Sequence, residues 1–237
     1  MSASRQSRLL IHAAGDQWHW AVLGPGREIA SDGRCDPASP DWPKGLPVHV
    51  VCDAGRCSAL DLDLPEMSKA RLRQALRWAA EEHLAGSAED EHVVEAGRDA
   101  EGRLRCLVIS HADMEAMLSP LSGEAVESVS PDALCLPWSP GQVSLGAVND
   151  QVLARWRDWS FGRFDAALVP TLLEPVADGQ WRWTAGAVPE PLTEEFDAKS
   201  YLSLISVLAQ GFDQAPVNLL QGPWSPASTR TAGRQWR

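Results

Sequence analysis

The sequence predicts a mixed α/β protein built as two lobes, and three observations carry that expectation. Short apolar runs rich in Trp, Val and Leu are separated by Gly, Pro and Asp turn signals, the punctuation of β-strands. A hairpin-like pair of such runs, with a helix-period segment downstream, occurs near the N-terminus and again after residue 140, without a residue-level repeat. Residues 48–52 are nearly all apolar, as in a strand covered on both faces.

In chain order, residues 9–13 and 17–23 form the first hairpin about Gly15 and Asp16, with His12 and His19 facing each other across it. Residues 27–30 give a third strand, and Asp36, Pro37, Pro40, Pro43 and Pro47 mark a loop before strand 48–52. After a turn at 53–57 comes the longest helix-like segment, opened by Pro65 and Ser68. At about 3.6 residues per turn Leu72, Ala75, Leu76, Ala79 and His83 share one stripe, and Gly86 stops the helix. Its charges run against the helix dipole, with Arg71, Arg73 and Arg77 before Glu81 and Glu82. Trp78 lies about 120° from the stripe, so it should be less buried than the leucines. Its plain reading is a surface side chain packed by arginine stems; the sharper one is a contact for a partner. Strands at 91–96 and 103–109 flank a turn at 99–102, and Ser110 caps a second helix with Asp113 in its first turn and Met114, Met117 and Leu118 inward.

Residues 126–136 read as the crossing into the second lobe, with Ser130, Pro131 and Asp132 as a turn. Residues 142–148 and 151–156 form a second hairpin about Asn149 and Asp150. Residues 164–173 fit helix or strand equally, 181–183 a strand, and 193–210 a third helix with Gly211 at its C-cap position. A short strand at 216–220 would close the fold. The expected organisation is a first lobe over 1–125, a second over 126–222, and a flexible tail over 223–237 whose charges are Arg230, Arg234 and Arg237.

At 44% hydrophobic residues the chain is globular. A formal net charge of −11 argues against nucleic-acid binding, which needs a cationic surface, and suits a basic partner. No apolar run approaches the length of a membrane span and the start is polar, so the expected location is the cytosol. Cys35, Cys52, Cys57, Cys106 and Cys135 are odd in number and lack CxxC pairs, which fits reduced core thiols.

Recognisable chemistry is missing. Neither GxxxxGK[ST] nor GxGxxG occurs, and there is no nucleophile elbow. His111 beside Asp113 reads as structural, and His12 with His19 lacks a carboxylate or Cys at ligand spacing, so no metal and no cofactor is expected. Asp61, Asp63 and Glu66 favour a helix start. The cluster Glu190, Glu194, Glu195 and Asp197 has a solvated face as its plain reading. The chain therefore reads as a binding protein rather than an enzyme.

Three segments give a resemblance. They are Leu64-Pro65 followed by Leu72-Arg73-Gln74-Ala75-Leu76 and Glu81-Glu82-His83-Leu84; Val129-Ser130-Pro131-Asp132-Ala133-Leu134; and Val217-Asn218-Leu219-Leu220-Gln221-Gly222. In order and spacing they resemble the cytoplasmic part of the type II secretion system protein L, a platform subunit of the bacterial inner membrane. The resemblance implies an actin-like fold with two RNase H-like lobes and a scaffold that docks the N-terminal domain of the secretion ATPase at the cytoplasmic face of that membrane. Further platform subunits would be reached through membrane and periplasmic parts, and a homodimer is a possible partner; no nucleic acid is implied. Arg230, Arg234 and Arg237 would be cytoplasmic flanking charges of a membrane helix. Active actin-like ATPases end the first strand in an Asp for magnesium, then Gly and a hydroxyl residue; here the place reads Ile11-His12-Ala13-Ala14-Gly15, which implies a nucleotide-dead protein. The partner site expected on the second lobe is Glu190, Glu194, Glu195 and Asp197, with Trp78 as a secondary contact. An active ATPase or small-molecule kinase of the same fold, and a plain dimerisation module, are the alternatives.

Overall fold

The computed structural model describes residues 6–84, 86–173, 180–196 and 201–226, and they fall into two compact units. The first comprises residues 1–55 and 123–215, the second residues 56–122 and 216–237. Both are discontinuous in sequence, whereas the expected lobes run consecutively.

The first unit contains two sheets. In one, β1 (Arg8–Ala13), β2 (Trp18–Leu23) and β3 (Ile29–Cys35) form an antiparallel meander, with His12 opposite His19 as the hairpin pattern predicts. The strand β4 (Pro47–Cys52) pairs parallel to β1, and a further parallel strand, Ala125–Pro131, pairs with β4. β4 is covered on both faces, which is why its sequence is apolar apart from His49.

In the second unit β5 (Ser58–Leu62) and β6 (Glu91–Arg98) flank β7 (Leu104–Ser110) in a three-stranded antiparallel sheet. The helix α1 (Lys69–Glu81) buries Leu72 and Leu76 against Leu62, Leu104 and Cys106. The helix α2 (His111–Leu118) is capped by Ser110, whose hydroxyl accepts from the Asp113 amide at 2.9 Å. Ser68 at the start of α1 makes no side-chain cap bond.

The strand at Ala125–Pro131 is β8. Beyond it β9 (Gln142–Val148), β10 (Gln151–Arg155), β11 (Phe161–Asp165) and β12 (Gln180–Ala185) make the second sheet of the first unit in the order β11-β10-β9-β12. β9, β10 and β11 are an antiparallel meander and β12 pairs parallel to β9, so this sheet repeats the order and sense of β3-β2-β1-β4. Two RNase H-like sheets of one topology in a chain are the actin-like fold. After α3 (Val169–Leu173), the helix α4 (Leu204–Gly211) directs Ile205, Leu208 and Ala209 at Leu10, Leu23 and Val51, and Val207 at the core around Val148 and Leu153.

Several expectations are corrected. Residues 126–131 belong to β8 rather than to a crossing, and a 3-10 turn at Asp132–Cys135 follows it. The helix expected over 193–210 begins at Leu204, where Ser203 accepts from the Ser206 amide, while Leu192 and Phe196 anchor the preceding turns in the core of the four-stranded sheet. β3 runs from 29 to 35 rather than 27 to 30. Residues 216–220 form no strand: the Asn218 side chain accepts from Leu220 N, while Val217 and Leu219 are buried.

Candidate functional site

In open α/β sheets ligands bind beyond the carboxyl ends of the parallel strands. Here β1, β4 and β8 end together, and what stands at their ends is a buried tie. His12, on β1, donates from Nε2 to Asp132 Oδ2 at 3.0 Å, and Asp132 follows β8 directly. The other carboxylate oxygen accepts from Ala54 N, just past β4, at 2.9 Å and from Ala133 N at 2.8 Å. Asp132 is 0% exposed and His12 6%. Both oxygens are therefore committed to holding three strand ends.

The space above this tie, lined by His12, Ala14, Gln17, His19, Asn149 and Leu204 among others, is about 90 Å³. Ligand pockets usually span roughly 300–1,000 Å³. It is narrow because the turns of the two hairpins meet: Gly15 has a φ of 74°, and a Cβ there would lie 3.3 Å from Asn149 Nδ2. Beside it Asp53 pairs with Arg163 of β11 at 2.7 Å.

The sequence reading missed Asp132 as a partner of His12. No local signal reveals it, because 120 residues separate the two and the strand pairing alone brings them together. It also placed no carboxylate near His19, whereas Asp32 across the β2–β3 pair lies 3.0 Å from its Nε2. Among the described residues no group of three or more His, Cys, Asp or Glu could hold a metal ion.

Of the predicted partner residues, Glu190 opens a 3-10 turn (Glu190–Leu192), and it, Glu194 and Glu195 are exposed. Asp197 lies outside the described residues. Trp78 is on α1 of the other unit and is 72% exposed. His111, read from the sequence as structural, accepts at Nδ1 from Trp224 Nε1 at 3.0 Å. Its neighbour His92 donates from Nε2 to Leu219 O at 2.8 Å, and burial pushes the His92 imidazole below its usual pKa against the opposing effect of that bond.

Comparison with known proteins gives a family and several solved structures of similar fold. The sequence pattern of the family described as type II secretion system (T2SS), protein L, matches residues 14–227. No curated protein matches the chain by sequence. Among solved structures, the cytoplasmic domain of EpsL, an inner membrane component of the type II secretion system of Vibrio cholerae, superposes with a TM-score of 0.74 at 18% identity, covering 92% of this chain and 100% of that one. A Bacteroides thetaiotaomicron protein with an actin-like ATPase fold gives a TM-score of 0.49 at 9% identity, over 87% and 96% of the two chains. A chain of the PilM-PilN type IV pilus biogenesis complex gives 0.48 at 10% identity, over 71% and 66%.

Proposed function

Since the chain belongs to the protein L family of the type II secretion system, we propose that it is a non-enzymatic scaffold that docks the N-terminal domain of the secretion ATPase and holds that motor at the cytoplasmic face of the bacterial inner membrane. The observation that carries this reading is the buried His12–Asp132 tie. At the place where an actin-like ATPase needs an open acid for magnesium, the described structure offers an imidazole whose partner is already saturated. The cavity of about 90 Å³ above it supports the same reading.

A scaffold acts through a stable interface, here one on the order of 1,600 Å² or somewhat less. The exposed carboxylates of Glu190, Glu194 and Glu195, with Asp197, supply charge complementarity to a basic partner, which mainly speeds association. Trp78 is the secondary contact. Membrane attachment is supported by Arg230, Arg234 and Arg237 next to the family's NLLQG-like segment; no helix among the described residues is long and apolar enough to cross a membrane. The test is co-purification with the N-terminal domain of the ATPase. Wild type is expected to retain it, and a fourfold charge reversal at 190, 194, 195 and 197 is expected to lower the association rate at least tenfold. Retention unchanged by the reversal removes those residues from the site, and micromolar Mg-ATP binding by calorimetry overturns the non-enzymatic reading.

A further inference from the structure

The second unit carries a groove along the open side of β6. Within its sheet β6 has only β7 as a neighbour. An antiparallel ladder directs the amide and carbonyl of alternate residues to the partner strand and those of the residues between them outward. Asp90 O accepts from His111 N at 2.8 Å, continuing the β6–β7 register, so Glu91, Val93 and Glu95 form the outward set. In agreement, the Glu95 carbonyl is reached from outside by Gln221 Nε2 at 3.1 Å.

The groove has a volume of about 760 Å³, and Leu72 and Leu76 of α1, Val93 of β6 and Pro223 supply its apolar lining. Glu89, Glu91 and Glu95 line it as well; among the described side chains Arg77 is the one cation in the lining, and it lies 3.8 Å from Glu89. Among the described residues no cation pairs with Glu91 or Glu95. A sheet edge with outward backbone groups open at Glu91 and Val93 and closed by Gln221 at Glu95, an apolar wall and surplus carboxylates favour one kind of occupant: a short extended chain that adds a strand along Glu91 and Val93, with basic side chains beside the acids.

We propose that this groove binds an extended basic segment of a partner protein as an added strand on β6. The site is independent of the acidic segment at 190–197, which lies in the other unit, so the two proposals fail separately. The main-chain bonds supply affinity, and Glu91 and Glu95 select lysine or arginine at alternate positions of the added strand.

The test uses the whole chain and a fluorescent synthetic heptapeptide of alternating arginine and valine, read by anisotropy. Saturable binding is expected. A peptide N-methylated at alternate amides is expected to bind at least tenfold more weakly, which probes strand addition without altering the protein. Glu91→Lys with Glu95→Lys, folded by circular dichroism, is expected to weaken the unmethylated peptide at least tenfold. Equal binding of the methylated peptide, or a charge reversal within twofold of wild type, overturns the proposal. A chain ending at Pro226 that binds the peptide over tenfold more tightly would make residues 227–237 the natural occupant and overturn the partner assignment. So would a dimer, seen by sedimentation, that the same charge reversal dissolves.

Discussion

Replacing Asp132 by Ala removes one acceptor from three donors: His12 Nε2, Ala54 N and Ala133 N. The carboxylate is fully buried, so the donors at the ends of β1 and β4 are left without solvent. An orphaned buried donor costs about 1–3 kcal/mol. Discounting Ala133 N, which neighbours its acceptor in sequence and can readjust, the total is about 4 kcal/mol. At roughly 2–4 °C per kcal/mol for a chain of this size, Tm should fall by about 8–16 °C. Asp132→Asn keeps an oxygen for both amides and forfeits only the imidazole bond, so its loss should be about 1–2 kcal/mol. Thermal and urea unfolding of the three proteins measure the series. An Asp132→Ala chain within about 1 kcal/mol of wild type, or an Asn variant as damaged as the Ala one, would refute the reasoning that this carboxylate is a structural tie.

A Cβ added at Gly211 would lie 1.9 Å from the Cys135 carbonyl oxygen. Gly211→Ala therefore overpacks the junction of α4 with the turn after β8, and the clash outweighs the better helix propensity of alanine by about 2 kcal/mol; a differential scan should show Tm lower by roughly 4–8 °C. Burial holds His49 and His92 below their ordinary pKa in the folded chain, against the opposing Glu127 charge in the first case and the Leu219 carbonyl in the second. The unfolded chain then binds more protons as pH falls through about 6.5, so stability should drop below that pH and be regained above it, read as the urea midpoint at pH 7.5, 6.5 and 5.5. Burial pushes the Cys106 thiol up to about 12, with Glu95 and Asp61 adding to it. Native protein treated with iodoacetamide at pH 8 should leave Cys106 unmodified by mass spectrometry, and denatured protein should not.

Strands inside the sheets were legible and several at their edges were not. β1, β2, β4, β7, β9 and β10 have neighbours on both sides or bury most of their residues, and apolar content or alternation marks each of them. β3, β5, β8 and β11 are edge strands. Solvent on their open side permits Ser31, Asp32, Asp61 and Glu127, which read as loop or turn in a sequence window, while Arg163 of β11 is tolerated through its largely buried ion pair with Asp53. The N-terminal part of the expected third helix failed differently. Leu192 and Phe196 have helical spacing relative to Leu204 and Leu208, yet they are held in a separate core by turns around the four-stranded sheet. At the site, His12 and its facing His19 followed from hairpin register alone. Asp132 did not, since its role depends on β8 lying parallel to β4, a pairing between segments more than 70 residues apart.

The repetition of one sheet topology gives that tie a meaning beyond stability. In each sheet the first strand runs into a tight turn, at Gly15 after β1 and at Asn149 after β9, and both turns use backbone with positive φ. An enzyme of this fold needs such turns to stand apart around a phosphate chain, because their backbone amides are its cradle. In this chain the Asn149 side chain stands so near Gly15 that a Cβ there would lie 3.3 Å from its Nδ2, above a carboxylate whose two oxygens both already hold hydrogen bonds. Substituting an acid for His12 would not by itself reopen the place, since the new carboxylate would face Asp132 across about the 3.0 Å now spanned by a hydrogen bond. The same carboxylate ties the ends of β1, β4 and β8 to one another, and under the scaffold proposal a surface ordered in advance would present a partner site at a lower ordering cost.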